Sequence, residues 1–173
     1  MYQFVIDITD LANDPGATKQ IEAFEPIRGL RGALGYVDEA EPVKIELNAT
    51  SIFEGIEVAG KVGGRMHLSC SRCLVEFEVD FEQKVAEVFY HEGHVTRREE
   101  EDYEVNGSTI DLEPMLRDVI VLGIPIRPLH DEGCKGLCTQ CGADLNTNDC
   151  GHQQGKVDIR WAPLSGFFDK NKE

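Results

Sequence analysis

The chain is 173 residues long, enough for one domain with a small appendage. It carries 17 Lys and Arg against 32 Asp and Glu, a net charge of −15. That balance excludes a generally phosphate-binding surface, because Lys and Arg supply most non-specific nucleic-acid affinity, so any RNA contact must use a local patch or pass through a protein partner.

No run approaches the roughly 18 apolar residues of a membrane span. MYQFVIDITD has no basic start and places Asp7 where a signal peptide needs apolar residues, so a cytoplasmic protein is expected. Six cysteines in such a chain are poorly explained by disulfides, which do not persist in a reducing compartment, and metal is the first alternative.

In chain order, YQFVIDI at 2–8 suggests a strand, and Asn13, Asp14, Pro15 and Gly16 a turn. Gly29, Gly32 and Gly35 do not form a dinucleotide fingerprint and read as a flexible loop carrying Arg28 and Arg31. From Val43 to Thr50 the alternation is clean, with Val43, Ile45, Leu47 and Ala49 on one face and charged or polar residues on the other, which predicts a half-buried strand.

Ile56, Val58, Val62, Met66 and Leu68 share one parity, and after Cys70-Ser-Arg-Cys73 the pattern resumes as Val75, Phe77, Val79 and Phe81. If the knuckle is the turn of an antiparallel hairpin, Leu68 faces Val75, Met66 faces Phe77 and Val62 faces Phe81. On the opposite face His67 meets Glu76, Arg65 meets Glu78 and Lys61 meets Glu82. The stretch 58–75 holds Lys61, Arg65 and Arg72 without an acid and resembles a nucleic-acid patch, but the hairpin offers cross-strand pairing for the first two. Arg72, inside the knuckle, has no such partner and is the better candidate for RNA.

Residues 98–104 (REEEDYE) form a charge run that should stay solvated. Asp111 reads as an N-cap, and Leu112, Met115, Leu116, Val119 and Ile120 give one apolar face to a helix over 112–122 that can stop at Gly123. The prolines of IPIRPL at 124–129 keep that stretch extended.

The chemistry lies in the cysteines. Cys70-x2-Cys73 and Cys138-x2-Cys141 have the spacing that lets two thiolates reach one tetrahedral zinc, and Gly142 permits the tight turn of the second knuckle. Cys134, Cys150 and His152 lie nearby in sequence. One arrangement is a ribbon of Cys70, Cys73, Cys138 and Cys141, which we favour. The other is a local site drawn from Cys134, Cys138, Cys141, Cys150 and His152. Six cysteines cannot fill two four-ligand sites without His130, His152 or carboxylates. A thioredoxin-like pair needs a helix N-terminus after a strand, which Cys70 and Cys73 lack. HExxH, GxxxxGK[ST] and GxSxG are all missing, so no nucleophile or base suggests itself and a non-enzymatic protein is expected.

FVIDITDL followed by DPG, FEGIEVAGKV with LSCSRCLVEF, IDLEPMLRDVIVLGIP, CKGLCTQCGADLN and VDIRWAPL, in that order, together resemble the YceD family of large ribosomal RNA subunit accumulation proteins. The resemblance implies a role in accumulation of large-subunit ribosomal RNA and in ribosome biogenesis, in bacteria or plastids. Some relatives lack the C-terminal cysteines, which implies that metal serves stability there. His152 stands where the family would lead one to expect a further cysteine.

The expectation is an α+β fold with an antiparallel β-sheet, one main amphipathic helix and a zinc-stapled C-terminal segment. Residues 1–130 would form the sheet and helix core, and 131–173 a cysteine-rich zinc-binding segment and tail packed on the same core. Metal ligands would come from Cys70, Cys73, Cys138, Cys141, Cys134 and Cys150. Contact with large-subunit ribosomal RNA or a pre-ribosomal particle, directly or through a ribosomal protein, would use Arg72, Arg127 and Arg160, with Trp161 expected in core packing. No membrane and no small-molecule substrate are expected. The rival functions are a zinc-ribbon adaptor that binds only protein and a redox-sensing chaperone that releases zinc on oxidation.

Overall fold

The structure is a computed structural model that describes residues 4–11, 14–91, 103–152 and 160. By compactness the chain divides into two units, residues 1–71 with 75–130, and residues 72–74 with 131–173. Among the described residues, the regular elements lie in the first: β1 (Val5–Asp7), β2 (Thr18–Glu25), β3 (Gly35–Tyr36), β4 (Val43–Ile52), β5 (Gly55–Ser69), β6 (Glu76–Tyr90), β7 (Tyr103–Glu104), β8 (Thr109–Asp111) and α1 (Glu113–Gly123).

Six strands form one sheet in the order β2-β4-β5-β6-β7, with β3 pairing β5 beyond the end of β4, while β1 and β8 form a separate antiparallel pair. All pairings are antiparallel except β6 with β7. With a single helix among the described residues, the fold is α+β, as expected.

Period-two patterning sets which face is dry. Val43, Ile45, Leu47 and Ala49 of β4 and Ile56, Val58, Val62, Met66 and Leu68 of β5 are all buried, as the alternation predicts. Phe77, Val79 and Phe81 of β6 are half-buried against the same core, and Val85 and Phe89 complete it. Over this core α1 lays Met115, Leu116 and Ile120. Removing each such side chain from water is worth about 1.5–3 kcal/mol, so the face is strongly specified.

The helix runs from Glu113, one residue after the predicted start, with Leu112 buried at the N-cap position. Asp111 closes its β8 strand and accepts a hydrogen bond from Glu113 N at 3.0 Å, so it serves the helix start from one position earlier than expected. Gly123 is the last helical residue.

The hairpin register departs from expectation by two residues. Leu68 pairs with Phe77, His67 with Glu78, Met66 with Val79 and Arg65 with Asp80. The cause is the knuckle: strand pairing ends at Ser69 and Glu76, leaving six residues for the loop, where Leu74 turns the chain back at φ +62°. A slip of two preserves every residue's face, whereas a slip of one would have inverted the hairpin. Long side chains also reach diagonally, so Lys61 still meets Glu82 (3.1 Å) and Arg65 still meets Glu78 (3.6 Å), alongside Glu46 and Asp80. His67 lies 3.5 Å from Glu78 and not beside Glu76.

The segment at 28–36 is ordered where a flexible loop was expected. Ile27 and Leu30 are buried, Arg117 donates to the Arg28 carbonyl (2.8 Å), Arg31 stacks over Tyr36 (5.3 Å), and Gly35 is already strand. Of the strand predicted at 2–8, Val5–Asp7 is seen as β1, and residues 2 and 3 lie outside the described residues. Residues 98–102 of the acidic run lie outside the described residues, whereas Tyr103 and Glu104 form β7.

Candidate metal centre

The first knuckle begins where β5 ends. Cys70 N donates to Val75 O (2.9 Å) and Ser71 N to Pro128 O (2.8 Å), which fixes Cys70 as a fully buried side chain. The second knuckle is held by its own backbone. Cys138 N donates to Ala143 O and Gly142 N to Cys138 O, both at 2.8 Å, and Gly142 takes φ +74°, the left-handed turn that its lack of a Cβ allows. Gln140 N points at Cys138 Sγ from 3.4 Å.

Among the described residues of the second unit, Cys138, Cys141, Cys150 and His152 gather with their ligand atoms within 4.8 Å of one another. There His152 Nδ1 sits 3.4 Å from Cys150 Sγ and 3.8 Å from Cys138 Sγ. Of the remaining cysteines, Cys70 in the first unit and Cys134 in the second are buried, and Cys73 in the second is half-buried. Phe77 packs edge-on to the His130 ring at 6.5 Å, and in the second unit Arg72 donates to Cys134 O at 2.7 Å.

Electrostatically the group of Cys138, Cys141, Cys150 and His152 is prepared for a cation. The backbone N–H groups of Cys141 and Gln140 hold the Cys138 thiol down at about 6, so it is largely thiolate at neutral pH. The His152 backbone N–H draws the Cys150 thiol down as well, but its hydrogen bonding to Cys138, burial and Cys141 outweigh this and leave it raised. Adjacent thiols thus resist ionising together, the tension that a bound cation relieves.

Of the six cysteines named from sequence, Cys138, Cys141 and Cys150 fall in this group, which matches the local alternative and not the favoured ribbon of Cys70, Cys73, Cys138 and Cys141. Cys138 and Cys141 instead join Cys150 and His152, across a loop of only eight residues, whose closure costs less entropy than joining distant knuckles. His152 supplies the fourth donor of the group, and the arithmetic of six thiols against eight positions was the signal for it.

The basic residues fare differently. Arg72 has the partner that strand pairing denied it, the Cys134 carbonyl. Arg127 and Arg160 are exposed, and Trp161 lies outside the described residues. The described residues contain no helix long and apolar enough to cross a membrane.

The family described as large ribosomal RNA subunit accumulation protein YceD matches residues 58–168. An uncharacterized protein of Mycobacterium tuberculosis is 32% identical over 165 residues, which cover 92% of this chain and 78% of the relative. The uncharacterized protein YlbN of Bacillus subtilis is 30% identical over 135 residues, covering 76% of this chain and 77% of its own. A chloroplastic protein of Arabidopsis thaliana, named as a YCED homolog for large ribosomal RNA subunit accumulation, is 33% identical over 64 residues, covering 37% of this chain and 20% of its own. No solved structure matches. The family match takes in both knuckles, the long hairpin strand β6 and the helix, and the chain belongs to the YceD family.

Proposed function

We propose that this chain is a non-enzymatic, cytoplasmic factor for accumulation of large-subunit ribosomal RNA, in which zinc holds the cysteine-rich part in shape. The observation that carries the ribosomal reading is membership of the YceD family, with a plant relative named for that process. The zinc reading rests on donor chemistry. Three thiolates and an imidazole suit zinc, and four protein donors leave no open position for a reacting water.

The distances fit as well. Zn–S near 2.3 Å and Zn–N near 2.0–2.1 Å in a tetrahedron put S and N about 3.6 Å apart, and His152 Nδ1 lies 3.4 and 3.8 Å from two of its sulfurs. Zinc there contributes folding free energy and no reaction step.

The test is depletion of the protein in its host, followed by sucrose-gradient profiles and quantification of both mature ribosomal RNAs. A selective fall in large-subunit particles and their RNA, restored by the wild-type chain, is expected. Unchanged profiles under several growth conditions refute the reading.

One observation favours a variant of it, contact through protein and not through RNA: Lys61 and Arg65 are committed to carboxylates and Arg72 to a carbonyl. Purified chain that captures a ribosomal protein but no ribosomal RNA at low salt supports that variant.

A further inference from the structure

Besides its pairing with β5, strand β6 meets another strand only at Phe89 and Tyr90, where β7 lies parallel to it. Among the described residues the other edge of β6 is thus open over residues 76–88. The direction of its backbone groups follows from the bonds at its two ends. Cys70 N donates to Val75 O and His91 N to Glu54 O, so the odd-numbered residues face β5, whereas Val105 N donates to Tyr90 O, so the even-numbered ones face away. The N–H and C=O groups of Glu76, Glu78, Asp80 and Glu82 accordingly point out of the edge, in the direction from which β7 already takes its pairing.

Side chains alternate as well. Glu76, Glu78, Asp80 and Glu82 are exposed on one face, and Phe77, Val79 and Phe81 lie half-buried on the other. Past residue 82 the apolar face is met by the end of α1, whose Gly123 lies against the Gln83 side chain, so the stretch that offers an edge together with both faces is 76–82. Charge decides what fits there. Arg65 reaches Glu78 and Asp80, and Lys61 reaches Glu82, two cations for four carboxylates, and among the described residues no ion pair is seen for Glu76.

A second copy of the chain would set carboxylate against carboxylate along this edge, and a nucleic acid would set phosphate against them; both are repulsive. A strand with Lys or Arg at every second position and apolar residues between them meets opposite charge on one face and Phe77, Val79 and Phe81 on the other, with main-chain hydrogen bonds along the edge. We propose that residues 76–82 are a docking edge for such a segment, an extended and alternately basic and apolar stretch of a partner protein. The proposal rests on the variant of the functional reading in which contact passes through protein, and it names the surface and the sequence pattern that the surface takes.

The test uses the zinc-replete full chain and a dye-labelled peptide of alternating lysine and valine, followed by fluorescence anisotropy at low salt. A peptide of the same composition with its lysines and valines grouped in two blocks is the control, and the alternating peptide should bind more tightly. Glu76→Gln, Glu78→Gln, Asp80→Asn and Glu82→Gln together should weaken it by about 10–100-fold, the loss of four cross-strand charge pairs. Neutralising Glu99, Glu100, Glu101 and Asp102 in the same way removes equal net charge and should leave binding nearly unchanged. Asp80→Pro takes away an outward N–H but no bond to β5, so the sheet should persist by circular dichroism while binding falls by about tenfold. In the bound wild type the amides of Glu78 and Asp80 should gain protection from hydrogen exchange.

Equal losses from the two neutralised sets, unchanged binding by Asp80→Pro, or a block peptide that binds as well as the alternating one overturns the docking edge and leaves contact through protein elsewhere on the chain standing. A single-stranded RNA oligomer that displaces the peptide and protects the same amides overturns the protein variant itself.

Discussion

Gly60 is the position where the sheet's geometry can be tested by a single carbon. It sits mid-strand in β5, at φ +154°, opposite Leu47 of β4 and Val85 of β6. A Cβ there would fall on the Glu46 carbonyl oxygen and 2.9 Å from Leu47 Cα, both backbone atoms of a central strand. Gly60→Ala therefore incurs an unfavourable backbone conformation, about 1–3 kcal/mol, and a forced shift of packed backbone, about 1–3 kcal/mol. Taking about 4 kcal/mol in all and 2–4 °C per kcal/mol for a chain of this size, the melting temperature should fall by about 12 °C.

Gly107 is the internal control, since φ is +64° but nothing lies within 4 Å of its would-be Cβ. There only the left-handed cost of about 1–2 kcal/mol applies, partly offset by about 0.4–1 kcal/mol from a less flexible unfolded chain. Thermal unfolding followed by circular dichroism, in excess zinc so that metal linkage is constant, makes the comparison. If Gly60→Ala melts no lower than Gly107→Ala, β4 does not pass where its register puts it.

Two further outcomes concern the polar face of the sheet. Glu82→Lys removes the carboxylate 3.1 Å from Lys61 and sets a third lysine beside Lys61 and Lys84, which face each other across the hairpin. The pair is exposed, so the melting temperature should drop by only about 2 °C, and 0.5–1 M salt should erase most of the difference, as expected for screening at about 3 Å per Debye length in the molar range. A salt-independent loss refutes the pairing.

Lys44, through its hydrogen bond, holds the Glu46 carboxyl below its usual 4.5. A depressed folded value means a contribution fully present above pH 4.5 and lost as pH falls through the folded value. The difference in urea midpoint between wild type and Glu46→Gln should hence be constant above that pH and shrink below it. A difference that grows on acidification contradicts the assignment.

What the sequence made legible was whatever depends on periodicity. The burial of β4, the shared face of β5 and β6 and the apolar stripe of α1 all follow from side-chain direction, which period two or 3.6 determines. Three things depended on loop shape or distant partners and were not legible. The hairpin register slipped by two because the knuckle takes six residues, a number that no alternation records. Strand β2 escaped notice, since its inward Lys19, Ile21 and Ala23 mix charge with apolar residues and Phe24 points outward. Metal partners were the hardest: C-x2-C says that two thiolates act together, not which second pair joins them. The choice between Cys150 with His152 and the other knuckle is made by the turn at Gly142 and the Asp144 bridge to Leu137.

The topology also sets an order of events during synthesis. β4 and β5 are joined by two residues and β5 and β6 by six, so the centre of the sheet consists of neighbours along the chain, pairs that close quickly. By residue 90 the nascent chain holds everything that β2, β4, β5 and β6 need to pair. β1 has to wait. Val5 pairs with Asp111 and Leu112 N bonds to Phe4 O, so β1 acquires its partner only after the hairpin is complete and as the helix begins. Until then Phe4 and Ile8, both buried in the finished fold, have no completed core to enter, and the β1 segment stays open to chaperones and proteases while the rest of the sheet pairs.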